Sequence, residues 1–158
     1  MLQERLERFL GRPNMAVLTW VAAAGEPSAT PVWYLYRDGK FLVHTMHPTA
    51  KTRALGRNPS VCLCVQDPEP PYRYVTVWGE AKLSIGPAAY GLEEELAYRY
   101  LGRVGGRYYL RNLVPEMKGE HTQIEITPAR VSSLDGSEGI NPLALALMRA
   151  LRKVPGLG

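Results

Sequence analysis

The residues best placed to do chemistry lie between Pro48 and Pro59, in the stretch PTAKTRALGRNP. Thr49, Lys51, Thr52, Arg53 and Arg57 crowd one short helical pattern, with the two hydroxyls near its start. A helix start presents unpaired N–H groups and a partial positive charge, and hydroxyl, ammonium and guanidinium groups added there make an anion site. Phosphate is the expected small-molecule anion. A solvated basic face on a connecting helix has the same composition, and the segment alone does not separate the two readings.

The other candidates are weaker. His44 and His47 stand at odd spacing on one strand pattern and so face opposite sides, while His121 precedes the last strand. Without carboxylates clustered around them, the three histidines are expected to be hydrogen-bonded structural residues, and no metal site is expected. Cys62 and Cys64 lack both CxxC spacing and further partners, and read as small buried hydrophobes on opposite faces of one strand in a reducing cytosol. No serine, histidine and acid constellation argues for hydrolysis. Arg107, Tyr108, Tyr109 and Arg111 form a basic aromatic cluster that either stacks a base or substrate or packs as a surface loop.

The elements that position these residues follow from periodicity and punctuation. Leu2, Leu6, Phe9 and Leu10 fall at helical spacing, and Gly11-Arg12-Pro13 ends that helix. Met15–Val21 and Ser28–Tyr36 read as strands, and Asp38-Gly39 signals a tight hairpin into the antiparallel strand Lys40–Thr45. Asn58-Pro59 stops the basic helix before the strand Ser60–Val65. Proline-rich DPEPPYR (Asp67–Arg73) forbids helix or central strand, and Tyr74–Ile85 is the longest strand, with a bulge or close approach at Gly79. Pro87–Leu101 is helical, Gly102–Gly119 reads as irregular, and Gln123–Thr127 closes the strands. Asn141-Pro142 opens an amphipathic basic tail helix over Leu143–Val154. Six strands with turn-length links, and no strand–helix alternation, predict a mainly β fold: a small antiparallel barrel with peripheral helices. The expected division is a barrel domain over 1–140 and a helical tail over 141–158.

The bulk numbers fit one soluble domain. The chain has 158 residues, 46% hydrophobic and 22% charged, with a net charge of +4. That mild, dispersed excess suits anionic small molecules and does not argue for nucleic acid. No apolar run approaches the ~20 residues of a membrane span, and the charged N-terminal helix has no signal-peptide core, so the expected location is the cytoplasm.

The order of these elements resembles the pyridoxamine 5′-phosphate-oxidase-like, flavin-binding split-barrel proteins, and is most similar to their flavin- or deazaflavin-dependent oxidoreductase branch. The words that carry the likeness are AVLTWV (Ala16–Val21), TPVWYLYRDGKFLVHT (Thr30–Thr45), AKTRALGRNPSVCLCV (Ala50–Val65), DPEPPYRYVTVWGEAKL (Asp67–Leu83) and QIEITPARV (Gln123–Val131). The resemblance implies a six-stranded split β-barrel homodimer with cofactor sites at the subunit interface and a small-molecule substrate.

It also implies roles for particular residues. Lys51 and Arg53 match the basic positions of the family's phosphate helix, although Ala54 replaces its asparagine, and Thr45 matches a strand-end hydroxyl beside the phosphate. Pro31, Val32 and Trp33 match the strand along the ring system, and Trp78 and Gly79 match the strand approaching the ring from the partner subunit. Arg73 reads either as a surface cation or as a contact from the second subunit to the cofactor's acidic tail. Coenzyme F420 or FMN is the implied cofactor, with PPYRYV (Pro70–Val75) closest to the F420 branch. In such enzymes the cofactor carries the hydride chemistry, so no catalytic acid–base pair is expected. A non-catalytic protein holding flavin, or haem on one of the histidines, is the alternative on the same barrel.

Overall fold

The structure, a computed structural model, describes residues 2–152. Met1 and 153–158, with Lys153 and Val154 of the expected tail helix, lie outside the described residues. The chain runs α1 (Leu2–Leu10), β1 (Ala16–Val21), β2 (Pro27–Val32), β3 (Leu35–Arg37), β4 (Lys40–His47), α2 (Ala50–Arg57), β5 (Ser60–Gln66), β6 (Arg73–Ile85), α3 (Pro87–Asn112), a 3₁₀ turn (Val114–Glu116), β7 (Glu120–Asp135) and α4 (Pro142–Arg152). The strands form one seven-stranded antiparallel sheet in the order β2-β1-β5-β6-β7-β4-β3. The expectation of a mainly β fold with helices holds, but the strand count is seven rather than six and the ladder does not close into a full barrel.

The reason lies at Trp33-Tyr34, inside the single strand expected over Ser28–Tyr36. The Tyr34 N–H donates to the Tyr100 hydroxyl (3.1 Å), which in turn donates to the Asn14 carbonyl (2.8 Å). A backbone donor satisfied by a side chain leaves the ladder, and the strand divides into β2 and β3. These are the two edges of the sheet. A two-residue link keeps them close, so the sheet rolls almost onto itself.

One core fills the roll. Leu18, Phe41, Val43, Leu63, Val65, Val75, Val77, Ile124 and Ile126 alternate inward from five strands and join Phe9, Leu10 and Leu55 from α1 and α2. Each such side chain contributes about 1.5–3 kcal/mol when fully buried, which outweighs the polar residues between them. Tyr34 is fully buried there, and its hydroxyl donates to the Leu10 carbonyl at 3.0 Å, tying the end of α1 to the strand break.

The first part of α3 packs on the outer face of β3 and β4, where Leu92 and Leu96 meet Leu35, Leu42, Trp33 and Tyr100. The expected irregular stretch Gly102–Gly119 is instead helical as far as Asn112, broken only at Gly102 (φ 69°, ψ −178°). That backbone suits glycine, and there the helix folds back on itself. Gly106 lies so near the Ala97 backbone that a Cβ would stand 3.1 Å from its carbonyl carbon and oxygen.

Three further expectations are met or corrected. Gly79 sits at a bulge, where the register slips between Trp78 and Gly79 and an added Cβ would meet the Thr127 carbonyl oxygen. β7 is much longer than Gln123–Thr127, because its exposed second half pairs with the start of β6. Cys62 and Cys64, expected on opposite faces, share one half-buried face, since residues two apart in a strand point the same way; both are free thiols. No helix among the described residues is long and apolar enough to cross a membrane.

Candidate functional site

Between the β2–β3 break, the start of α2 and the folded-back α3 lies a pocket of about 330 Å³. Pro31, Val32 and Trp33 form one wall, and Leu96 and Met15 add apolar surface. Trp33 is held flat against Tyr100 (centroids 5.1 Å, planes 11° apart) and tilted against Tyr109 (5.6 Å). Stacking from two directions fixes the indole in one orientation.

Lys51 enters the pocket from the first turn of α2. Thr49 is the N-cap of that helix and forms a reciprocal capping box with Thr52, at 3.2 Å and 2.9 Å. The Thr52 hydroxyl also lies 2.9 Å from His47 Nδ1, and Thr52 is buried. These two threonines therefore act by building the helix that carries Lys51, and Thr52 offers no surface to an anion. Lys51 itself has no ion pair or hydrogen bond among the described residues. Burial pushes its ammonium pKa below the ordinary lysine value, as for a cation stripped of water without a counter-ion.

The opposite wall was not expected. His44 and Glu93 line the pocket together with Tyr109. Glu93 Oε2 lies 2.8 Å from His44 Nε2 and 3.1 Å from His121 Nδ1, and Tyr109 donates its hydroxyl to Glu93 Oε1 at 2.7 Å. His44 and His121 reach each other because β4 and β7 pair with His44 opposite Gln123, which sets His121 diagonally on the same face. Burial alone would raise the Glu93 carboxyl, but the hydrogen bonds from His44 and Tyr109 outweigh it and hold the group below the usual carboxylate range. Glu93 is thus an anion at neutral pH although only 3% of its side chain is exposed. The sequence reading places no carboxylate beside these histidines, and Glu93 supplies one. Glu93 was legible in principle: Ala89, Leu92, Glu93, Leu96 and Ala97 are the buried stripe of α3, and a lone acid on an apolar stripe signals a partner.

Of the residues expected at a site, Pro31, Val32, Trp33 and Lys51 come together in the pocket. Thr45 is half-buried in β4 opposite Thr122, and Arg53 is exposed on α2. Arg73 pairs with Asp135 (2.8 Å) and lies over the Phe9 ring, away from the pocket. Trp78 carries the Arg130 guanidinium 3.9 Å from its ring centroid, and Gly79 forms the bulge beside it.

Comparison with solved structures gives the same fold throughout. A conserved hypothetical protein from Mycobacterium tuberculosis is 23% identical with a TM-score of 0.72, covering 86% of each chain. A structure described as an F420 reductase is 25% identical with a TM-score of 0.67, covering 80% of this chain and 94% of its own. The haem storage protein HutZ from Vibrio cholerae is 14% identical with a TM-score of 0.63, over 83% of this chain and 93% of its own. No curated protein sequence matches the chain. The family model described as pyridoxamine 5′-phosphate oxidase matches residues 2–135. The rolled antiparallel sheet, the helix after β4 and this match over most of the sequence place the chain in the pyridoxamine 5′-phosphate oxidase family.

Proposed function

We propose that the pocket binds an anionic flavin-type cofactor, coenzyme F420 or FMN, and that the protein is an oxidoreductase acting on a small organic acceptor. The observation that carries this reading is Lys51, a partly desolvated cation with no counter-ion among the described residues, facing a pocket walled by a fixed indole. An unpaired ammonium in that setting is stabilised by an anion such as a phosphate, and a planar ring fits beside Trp33, Pro31 and Val32. When bound, the cofactor supplies the hydride chemistry. The chain's own residues bind and orient it: Lys51 neutralises the anion, and Trp33, braced by Tyr100 and Tyr109, excludes water. Likeness to the structure described as an F420 reductase favours F420 over FMN.

Arg73, Trp78 and Gly79 lie away from this pocket within one chain, so a role for them at a cofactor requires a second copy. A homodimer is accordingly part of the proposal. Exposed Tyr74 and Leu134, a cross-strand pair on β6 and β7, supply apolar surface for it.

Titration of FMN and F420 into the purified chain, followed by cofactor absorbance and fluorescence, tests the reading. One of the two should bind, and Lys51→Ala should weaken it about 10-fold or more, since a charge-assisted contact is worth about 1.5–3 kcal/mol. Light scattering should give a dimer of the 17.6 kDa chain. If neither cofactor binds, or Lys51→Ala binds as tightly as wild type, the pocket assignment fails.

A further inference from the structure

The triangle of His44 Nε2, Glu93 Oε2 and His121 Nδ1 has edges of 2.8, 3.0 and 3.1 Å. While the carboxylate is ionised, hydrogen bonds cannot satisfy all three edges of such a triangle. Each ring nitrogen carries at most one proton and an ionised carboxylate carries none. With both nitrogens protonated, two N–H donors confront each other at 3.0 Å. With only one protonated, the other nitrogen turns a lone pair toward the carboxylate oxygen. Each of these assignments leaves one edge between like groups.

A cation at the centre resolves this, because all three atoms then donate lone pairs to it. Bonds of about 2.1 Å to nitrogen and oxygen separate neighbouring ligand atoms of an octahedron by about 3.0 Å and those of a tetrahedron by about 3.4 Å. The observed edges match the octahedral case, with three ligands on one face of the ion. Two imidazoles and one carboxylate in that arrangement are a ligand set of open transition-metal sites, which keep their remaining positions for water or substrate. The surroundings are organised to match. Tyr109 holds Glu93 by its other oxygen, leaving Oε2 free to ligate, and the Tyr90 ring stands edge-on to His121 at 5.0 Å, steadying that ring. His44 and Glu93 line the pocket, which supplies room for the open positions.

We propose that His44, Glu93 and His121 bind a divalent first-row transition metal ion, held by two imidazole nitrogens and one carboxylate oxygen with its open side toward the pocket. The inference goes beyond the cofactor reading and does not rest on it. The same geometry rules out one haem ligated on both faces by this histidine pair, because nitrogens 3.0 Å apart cannot span an iron that needs about 4 Å between opposed imidazoles.

Cobalt(II) is the probe. The full chain, stripped with a chelator and free of added cofactor, is titrated with Co(II) and followed by visible absorption and by metal analysis after dialysis. The expected result is about one ion per chain, with the weak d–d bands of a high-coordinate ion. His44→Gln, Glu93→Gln and His121→Gln should each weaken binding at least 10-fold, and Tyr109→Phe should weaken it about 10–100-fold through the lost brace. His47→Gln should leave it unchanged, because that ring faces Thr52 on the other side of β4. If buried His44 or Glu93 variants fail to fold by circular dichroism, His121→Gln decides, since His121 is the most exposed ligand at 24%. No Co(II) binding by the wild-type chain, or binding retained in folded His121→Gln, overturns the proposal. Normal cofactor binding beside absent Co(II) binding would remove this inference alone, and the reverse would remove the cofactor reading alone.

Discussion

Replacing Gly106 by alanine tests how the two halves of α3 close the pocket. A Cβ at Gly106 would stand 2.8 Å from Tyr98 Cδ1 and 3.1 Å from the Ala97 carbonyl carbon and oxygen. The Tyr98 side chain is 38% exposed and can swing aside. The Ala97 backbone cannot, so the second half of the helix must retreat by a few tenths of an ångström. Overpacking of this kind costs about 1–3 kcal/mol, while alanine's better helix propensity returns about 1 kcal/mol. Gly106→Ala should therefore lie between neutral and about 2 kcal/mol destabilising. Gly91, exposed in the same helix, is the control: a Cβ there meets nothing within 4 Å, and Gly91→Ala should stabilise by about 1 kcal/mol. Urea unfolding followed by far-ultraviolet circular dichroism measures both, and the Gly106→Ala midpoint should fall clearly below that of Gly91→Ala. Trp33 fluorescence reports the pocket, since retreat of the second half moves Tyr109 away from the indole and from Glu93. If Gly106→Ala stabilises as much as Gly91→Ala, the two halves are not in contact and the pocket's far wall is wrongly described.

Two further outcomes follow from packing and charge. Gly79→Ala should destabilise at or beyond the upper end of about 1–3 kcal/mol, because its Cβ would meet the Thr127 carbonyl in the paired strand; a neutral result by thermal unfolding would remove the bulge explanation. Burial alone would raise the Asp135 carboxyl, but hydrogen bonds from Ser137 and the Arg73 guanidinium outweigh it and hold it below its ordinary value of 3.8, with Arg5 also within 3.3 Å. A depressed folded-state value means that stability is present above that ordinary value and lost as pH falls below it. Asp135→Asn should therefore unfold more readily than wild type at pH 6, by about 1 kcal/mol, and by less at pH 3. Equal gaps at both pH values would contradict the linkage.

How much of this was legible depends on which forces act locally. The basic helix was readable because its signals are short-range: Thr49 and Thr52 cap it, and Asn58-Pro59 stops it. The break at Trp33-Tyr34 was not, because it is made by the Tyr100 hydroxyl from a helix more than sixty residues away. The glycines of Gly102–Gly119 read as irregular, whereas one of them turns the chain and another lets two helical segments touch. The second half of β7 carries little apolar alternation, since it is held by its ladder with β6 rather than by burial. His44 and His121 looked unrelated because only the β4–β7 register sets them on one diagonal. Glu93 alone left a local trace, its place on an apolar stripe.

The folded-back helix has one more consequence. Ile85 at the end of β6 pairs with Thr122 at the start of β7, so 86–119 hang from the neck of an ordinary hairpin between neighbouring strands. Glu93, Leu96 and Tyr109 all belong to that insert, whereas Trp33, His44 and Lys51 belong to the rolled sheet and its α2. The two walls of the pocket are thus divided along the chain at two adjacent points. A different insert spliced into the same neck would re-line half the pocket and take away the Tyr100 hydroxyl that holds the β2–β3 break, while the main core inside the sheet, which draws no residue from 86–119, would stay.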